Sequence, residues 1–304
     1  MPSTAPKNKF ALWLKEVRLQ FCTAAVIPVC VGSALAFAHN HQFDWTLFLL
    51  AVFSISFFQM GANVINDYFD SESKNDWLNA NPTPFSGGSR LIQKNLLAPR
   101  EVYIGSAILF VIASISGLAI AAITKSLLVL ALGIIGLLGA YFYTAPPLKL
   151  GYRTAGEITI GLLFGILPVY GAYYIQTSSI CLVPFIPSLF IAVLIFLVIF
   201  ANEFPDYPAD KAVNKKTLVV TLGVKKAAVL YKAALVLTIV LSLFIKPLPF
   251  KFIFYPVLII LCLLSFKACS PAKLQQPGYS ALSLMTILLH TIAGAGLALA
   301  VLFG

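Results

Sequence analysis

The chain is expected to fold as an all-α polytopic membrane protein with nine transmembrane helices, and three observations carry that expectation. First, 60% of its residues are hydrophobic and only 11% are charged, where a soluble domain carries about 25% charged residues. Second, nine apolar stretches are long enough for a hydrocarbon core that takes roughly 20 helical residues to cross. Third, the basic residues fall almost wholly in alternate loops, which is how membrane helices record their orientation.

The stretches lie at about 19–38, 46–66, 102–123, 126–143, 156–175, 183–201, 227–245, 252–268 and 280–303. Only Thr124-Lys125 divides the third from the fourth, a tight hairpin, and Gln176-Thr177-Ser178-Ser179 divides the fifth from the sixth. The connections after the second and sixth are long and polar. With the N-terminus inside, Lys7, Lys9, Lys15 and Arg18 open an inner set holding all of the 21 basic residues except Lys125, Lys246 and Lys251. The topology is therefore N-in and C-out. The formal charge of +10 is a topology signal on a protein whose partner is the bilayer, not a nucleic-acid footprint. Met1 to Gln20 is basic and amphipathic and lacks the short apolar core of a cleavable signal. Cys22, Cys30, Cys181, Cys262 and Cys269 have no CxxC spacing and read as small core residues.

Only eleven acidic residues exist in the chain, and seven occupy two short patches. Asp67, Asp70, Glu72 and Asp76 follow the second stretch; Glu203, Asp206 and Asp210 follow the sixth. Carboxylates tied to membrane helices are costly and mark function by default. Both patches belong to the inner side and lie four helices apart. That spacing hints at a duplicated four-helix unit with a ninth helix added, all within one domain, 1–304. On a helix Asn66 and Asp70 share a face, as Asp67 and Asp70 do, and Asn202, Asp206 and Asp210 repeat the four-residue step. Pro205 and Pro208 are expected to interrupt the second row.

Mg²⁺ takes hard oxygen ligands, usually a few carboxylates together with phosphate oxygens. Two facing carboxylate rows would repel without a cation between them, so a shared Mg²⁺ site gripping a diphosphate is the reading chosen. Arg90, Lys149 and Arg153 arise on the same face and are placed to neutralise phosphate oxygens, with positive-inside anchoring as their alternative. Ser86-Gly87-Gly88-Ser89 either lets backbone N–H groups approach an anion or forms an ordinary turn. His290 is expected to make one interhelical hydrogen bond, and Phe53, Phe57 and Phe58 to face lipid or pack. An ion-coupled carrier is the rival from another class, although carriers place such groups near the bilayer midplane on broken helices.

The residues then resemble a known family. NDYFDSESKND and NEFPDYPADKAVNKKTLVVTLG, with YTAPPLKLGYRTAGE between them and Arg18, Pro28 and Gly32 ahead, are similar to the motifs of the UbiA superfamily of intramembrane aromatic prenyltransferases. The likeness spans almost the whole chain and is nearest to the MenA-like branch, which prenylates 1,4-dihydroxy-2-naphthoate in menaquinone synthesis. Two departures stand out. The third Asp falls six residues after the second, Asp70 to Asp76, with Lys74 at the usual four-step position. Asn214 stands where the branch has Gly before Lys215-Lys216-Thr217-Leu218. The Asn-Arg-Pro element of other branches is missing, against a 4-hydroxybenzoate or glycerophosphate-lipid acceptor.

The resemblance implies a UbiA-type helical bundle acting on a polyprenyl diphosphate and an aromatic acceptor with Mg²⁺, in a prokaryotic cell or inner membrane, its site on the cytoplasmic side. It implies catalytic roles for Asp67, Asp70, Asp206, Asp210, Lys149 and Tyr143, the last near the reacting carbon. Asn66, Arg90, Arg153 and Asn202 would bind substrate, and Asn66, Asp70, Asp76, Asp206 and Asp210 the metal. A UbiA-type enzyme with another acceptor, or one that cyclises its own prenyl chain, is the alternative within the class.

Overall fold

The computed structural model describes residues 8–246 and 250–303, and every regular element among them is helical. Lys7, counted above with the inner basic residues, lies outside the described residues. The chain opens with α1 (Lys9–Glu16), whose first turn is closed by Asn8, its side-chain oxygen accepting from the Phe10 N–H at 3.0 Å. Arg18 then takes a left-handed conformation, with φ 50°, and a 3₁₀ turn (Leu19–Phe21) leads into α2 (Cys22–Asn40). The first apolar stretch is thus preceded by a separate short amphipathic helix.

Next come α3 (Trp45–Glu72), the single turn α4 (Asn75–Leu78), α5 (Pro99–Thr124) and α6 (Leu127–Thr144). Asp44 caps α3, accepting from the Leu47 N–H. Pro99 opens α5, where its missing N–H costs nothing. The fifth crossing has three parts: α7 (Gly156–Ile160), a π turn (Gly161–Ile166) and α8 (Leu167–Thr177). The chain finishes with α9 (Phe185–Ala212), α10 (Leu218–Leu243), α11 (Lys251–Ala268), the short α12 (Pro271–Leu274) and α13 (Ala281–Leu302).

Nine helical runs among the described residues are long and apolar enough to cross a membrane, and each overlaps one of the nine expected stretches. Neighbours in sequence pack side by side, and α13 returns against α2 to close the bundle, while α2 also packs along α8. The side chains between them, such as Tyr173, Phe190, Leu194 and Tyr231, are fully buried. Apolar residues on the outer surface, Ile115 and Phe252 among them, are exposed as lipid-facing residues must be.

Two expectations are corrected. Pro205 and Pro208 do not interrupt the sixth crossing: α9 runs unbroken through both for 28 residues. Proline at 205 leaves the Ala201 carbonyl without its helical donor, and Ser283 of α13 supplies one, its hydroxyl 3.4 Å away. A neighbouring helix thereby repairs the backbone, as membrane bundles allow. His290 is buried in α13, but its Nε2 has no partner, so the expected interhelical bond is not made through that atom. All five cysteines carry free thiols.

Candidate active site

Two helices of equal length set up the site. Both α3 and α9 run 28 residues, past their apolar stretches, and bring their acidic last turns to the same end of the bundle. There Asp70, Asp76, Asp206 and Asp210 line one cavity of about 190 Å³, together with Asn66, Asn202, Glu203 and Tyr143. Arg18 and Lys215 are the basic side chains of its wall. Lys215 ties the two rows together: its Nζ lies 3.4 Å from Asp70 Oδ2 and 3.7 Å from Asp210 Oδ1.

Each carboxylate has a distinct set of partners. Asp70 accepts from the Tyr152 hydroxyl at 2.8 Å and from Asn66 Nδ2 at 3.1 Å. Asp210 accepts from Asn75 Nδ2 at 2.9 Å, and Asp206 from Asn79 Nδ2 at 2.7 Å. Asp67 stands behind the cavity wall, one oxygen on Arg18 at 2.7 Å and the other on the Ser89 N–H at 2.7 Å. These two contacts tie Arg18 and the following loop to α3.

That loop folds back over the acidic ends. Ser86, Gly87 and Gly88 line the cavity, the Gly87 N–H lies 3.3 Å from Asp206 Oδ2, and the backbone amides do approach anions, though those anions are the protein's own carboxylates. Gly88 has φ 69°, and a Cβ there would lie 2.5 Å from Asp76 Oδ2, so both the turn and the fit require glycine. Both sequence departures are resolved locally. Lys74 adopts φ 65° and ends α3, so position 74 cannot continue the ligand face; α4 carries Asp76 back to the wall instead. Asn214 adopts φ 58°, a region open to asparagine as well as glycine, and the turn is kept.

Buried carboxyls crowd the cavity and act on one another. Burial, then Asp70 and Asp67, push the Asp76 carboxyl up to about 8. Burial works against the Lys215 ammonium, but Asp210 and Asp70 outweigh it and hold its pKa well above the lysine range. Asn202 Oδ1 and Glu203 Oε2 are buried oxygen acceptors without a hydrogen-bond partner. Among the described residues no three acidic, histidine or cysteine side chains gather closely enough to hold a metal alone. Mg²⁺, which completes its shell with water and phosphate oxygens, fits such an open set of oxygen donors.

The basic residues chosen from sequence stand outside the cavity lining. Lys149 is absent from the cavity wall, with its Nζ 5.1 Å from the Tyr152 ring centroid, a ring that Lys215 Nζ also approaches at 5.0 Å. Arg153 donates to the Leu148 carbonyl at an exposed position, and Arg90 to the Asp76 carbonyl. The residues that sequence reasoning missed are Lys215, Tyr152, Asn75 and Asn79. Asn75 and Asn79 carried a signal in their four-residue spacing. Lys215 stood inside the motif NEFPDYPADKAVNKKTLVVTLG, but its spacing did not single it out from Lys216; it reaches the wall through the loop 213–217, which is pinned by the Lys216 N–H on the Tyr152 carbonyl and the Leu218 N–H on Glu157.

A second, mostly apolar cavity of about 360 Å³ lies between α3, α5, α6 and α8. Its lining includes Leu118 and Ile134, both more than half exposed, so it opens sideways to lipid.

Fold and site together define a multi-pass integral membrane protein with a buried acidic site at one end of its bundle. Residues 25–289 match the family described as the UbiA prenyltransferase family. The chain is 31% identical over 228 residues to 2-carboxy-1,4-naphthoquinone phytyltransferase of Synechocystis, covering 74% of this chain and 70% of that protein. It is also 31% identical over 216 residues to 1,4-dihydroxy-2-naphthoate octaprenyltransferase of Escherichia coli, covering 69% of this chain and 68% of that one. A UbiA homolog from Archaeoglobus fulgidus bound to GPP and Mg²⁺ superposes with a TM-score of 0.68 at 16% identity, over 96% of this chain and 100% of that one. The apo UbiA homolog from Aeropyrum pernix gives 0.71 at 13% identity, over 91% and 97%. The chain belongs to the UbiA prenyltransferase family, and it is an enzyme of that family, a transferase of alkyl groups.

Proposed function

We propose that the protein transfers a polyprenyl group from polyprenyl diphosphate to 1,4-dihydroxy-2-naphthoate, in menaquinone biosynthesis, with Mg²⁺ and from the cytoplasmic side of the membrane. One observation carries this reading: the acidic ends of α3 and α9 meet over one cavity, bridged by Lys215. The acceptor follows the naphthalene-type substrates in the names of the Synechocystis and Escherichia coli relatives. The GPP and Mg²⁺ held by the Archaeoglobus homolog support the donor and the metal.

In this reading Asp70, Asp206 and Asp210 hold the metal, with Asn66 and Asp76 beside them. Bound Mg²⁺ supplies Lewis-acid withdrawal of charge from the diphosphate oxygens. The chain's own contribution is positional. Lys215 neutralises a diphosphate oxygen from inside a site of low dielectric, where a fixed charge acts strongly and reorganises little. Tyr152 and Asn75 orient the carboxylates, and the loop 86–89 shields them from water. The allylic C–O bond breaks and its electron pair leaves with the diphosphate. The ring carbon of the acceptor then supplies the pair for the new C–C bond, and loss of CO₂ restores aromaticity. The hydrocarbon tail enters the apolar cavity and continues into lipid, avoiding transfer to water at about 0.8 kcal/mol per CH₂.

Purified protein assayed with polyprenyl diphosphate, dihydroxynaphthoate and Mg²⁺ tests the reading. Asp70→Ala and Asp206→Ala are each expected to lower kcat by about 10²-fold or more, the scale of losing a preorganised electrostatic contact. Near-wild-type turnover in either variant would refute the shared metal site. Mass spectrometry of the product fixes acceptor and chain length.

A further inference from the structure

The polar and the apolar cavities have one lining residue in common, Phe164. Phe21, Phe85 and Tyr143 line the polar cavity alone, and Phe58 the apolar one alone. A prenyl diphosphate carries the same division within itself, a charged head joined to a hydrocarbon tail through a single allylic carbon. A donor with its head among the carboxylates and its tail in the apolar cavity would pass Phe164, where the two spaces share their wall.

The position is built rather than incidental. Phe164 sits in the π turn of the fifth crossing and is 7% exposed. Such turns insert a residue into the helical register and recur at functional sites. The turn is seated on α9 through glycine: a Cβ on Gly165 would lie 2.4 Å from Ala192 Cα, and one on Gly161 would lie 3.1 Å from the Ala192 carbonyl oxygen. On its other side Leu163 fills the space over Gly139 of α6. The backbone carrying Phe164 is clamped between two helices, which preorganises the ring.

We propose that Phe164 is a catalytic residue of the transfer, its ring face lying against the allylic carbon and stabilising the positive charge that develops there. The proposal rests on the prenyl-transfer reading above. As the C–O bond breaks, the electron pair goes to the diphosphate and the allyl group is left one electron pair short. The acceptor ring closes that deficit by forming the C–C bond. Phe164 forms no bond. A phenyl ring offers its negative face to a cation and has no heteroatom to trap it, which suits this place better than tyrosine, tryptophan or histidine would.

Three forms of the protein test this. Phe164→Leu keeps an apolar side chain and removes the π face; Phe164→Tyr keeps the face; pentafluorophenylalanine at 164 keeps the shape and reverses the charge on the face. The expected result is a kcat lowered about ten-fold in Phe164→Leu and more in the fluorinated form, with Phe164→Tyr within about three-fold of wild type, the range set by one desolvated cation–π contact. The Kd for prenyl diphosphate, read by equilibrium binding, is expected to stay unchanged in all three. Wild-type kcat in the fluorinated form overturns the proposal, as does a loss confined to Kd, which would make the ring a tail contact. If Phe164→Leu does not fold, the fluorinated form decides alone. Retained turnover in Asp70→Ala and Asp206→Ala would instead sink the underlying reading, whatever Phe164 does.

Discussion

At the scale of single residues, Lys215 decides how the site behaves without ligand. It stands between Asp70 and Asp210, both almost fully buried. Removing one partner of a buried charge set strands the others, at a cost of about 3–5 kcal/mol. Lys215→Met is therefore expected to lower the Tm of the metal-free protein, with Mg²⁺ restoring part of the loss by neutralising the same carboxylates. Thermal denaturation of both proteins with and without Mg²⁺ measures this; equal Tm values in the absence of Mg²⁺ would contradict it. Residue types and spacing pointed to Asp70, Asp206, Asp210, Asn66 and Asn202, and the resemblance to Tyr143, and these do line one cavity. They also pointed to Lys149 and Arg153, which share a loop beside the site but do not line the cavity. Sequence shows which face of the membrane a lysine belongs to. It does not show where a long side chain ends, because that depends on the loop conformation on either side.

At the scale of elements, helix existence was readable and helix continuity was not. Hydropathy located the fifth crossing, but nothing in periodicity distinguishes the π turn at 161–166 from an ordinary helix. Proline chemistry argued for a break in α9 that Ser283, 82 positions away in the chain, makes unnecessary. The contact of the π turn with α9 yields a direct prediction. Gly165→Ala places a methyl group within 2.4 Å of Ala192 Cα, a backbone atom that cannot swing aside. The variant is expected to be destabilised by about 1–3 kcal/mol, the usual cost of overpacking, with kcat reduced because the clamp on Phe164 loosens. Denaturation in detergent together with steady-state kinetics would check it, and an unchanged Tm would show that α9 yields freely.

At the scale of the whole molecule, the site is made by distant parts of the chain. Residues near 66–90, near 143–157 and near 202–217 meet at one end of the bundle, under a cap supplied by Arg18 and the loop 79–98. Ligand binding should therefore report on the global fold. Inorganic diphosphate with Mg²⁺ is expected to stabilise the protein by about 2.7 kcal/mol at a hundred times its Kd, and neither component alone is expected to match that. A thermal-shift titration of each component, singly and together, checks this. A carrier coupled to ions by the same carboxylates gives no reason for diphosphate and Mg²⁺ to act jointly.

The order of residues alone determined the membrane class, the number of crossings and which acidic residues cluster at the helix ends, because hydrocarbon penalises polar groups so heavily that they are rare along the spans. Tertiary structure alone decided that Lys215 rather than Lys149 stands among the carboxylates, that Asp76 reaches the wall by way of α4, and that Phe164 divides the polar space from the apolar. Those outcomes depend on loop dihedrals and on contacts between helices remote in the chain, and no local pattern of residue types encodes either.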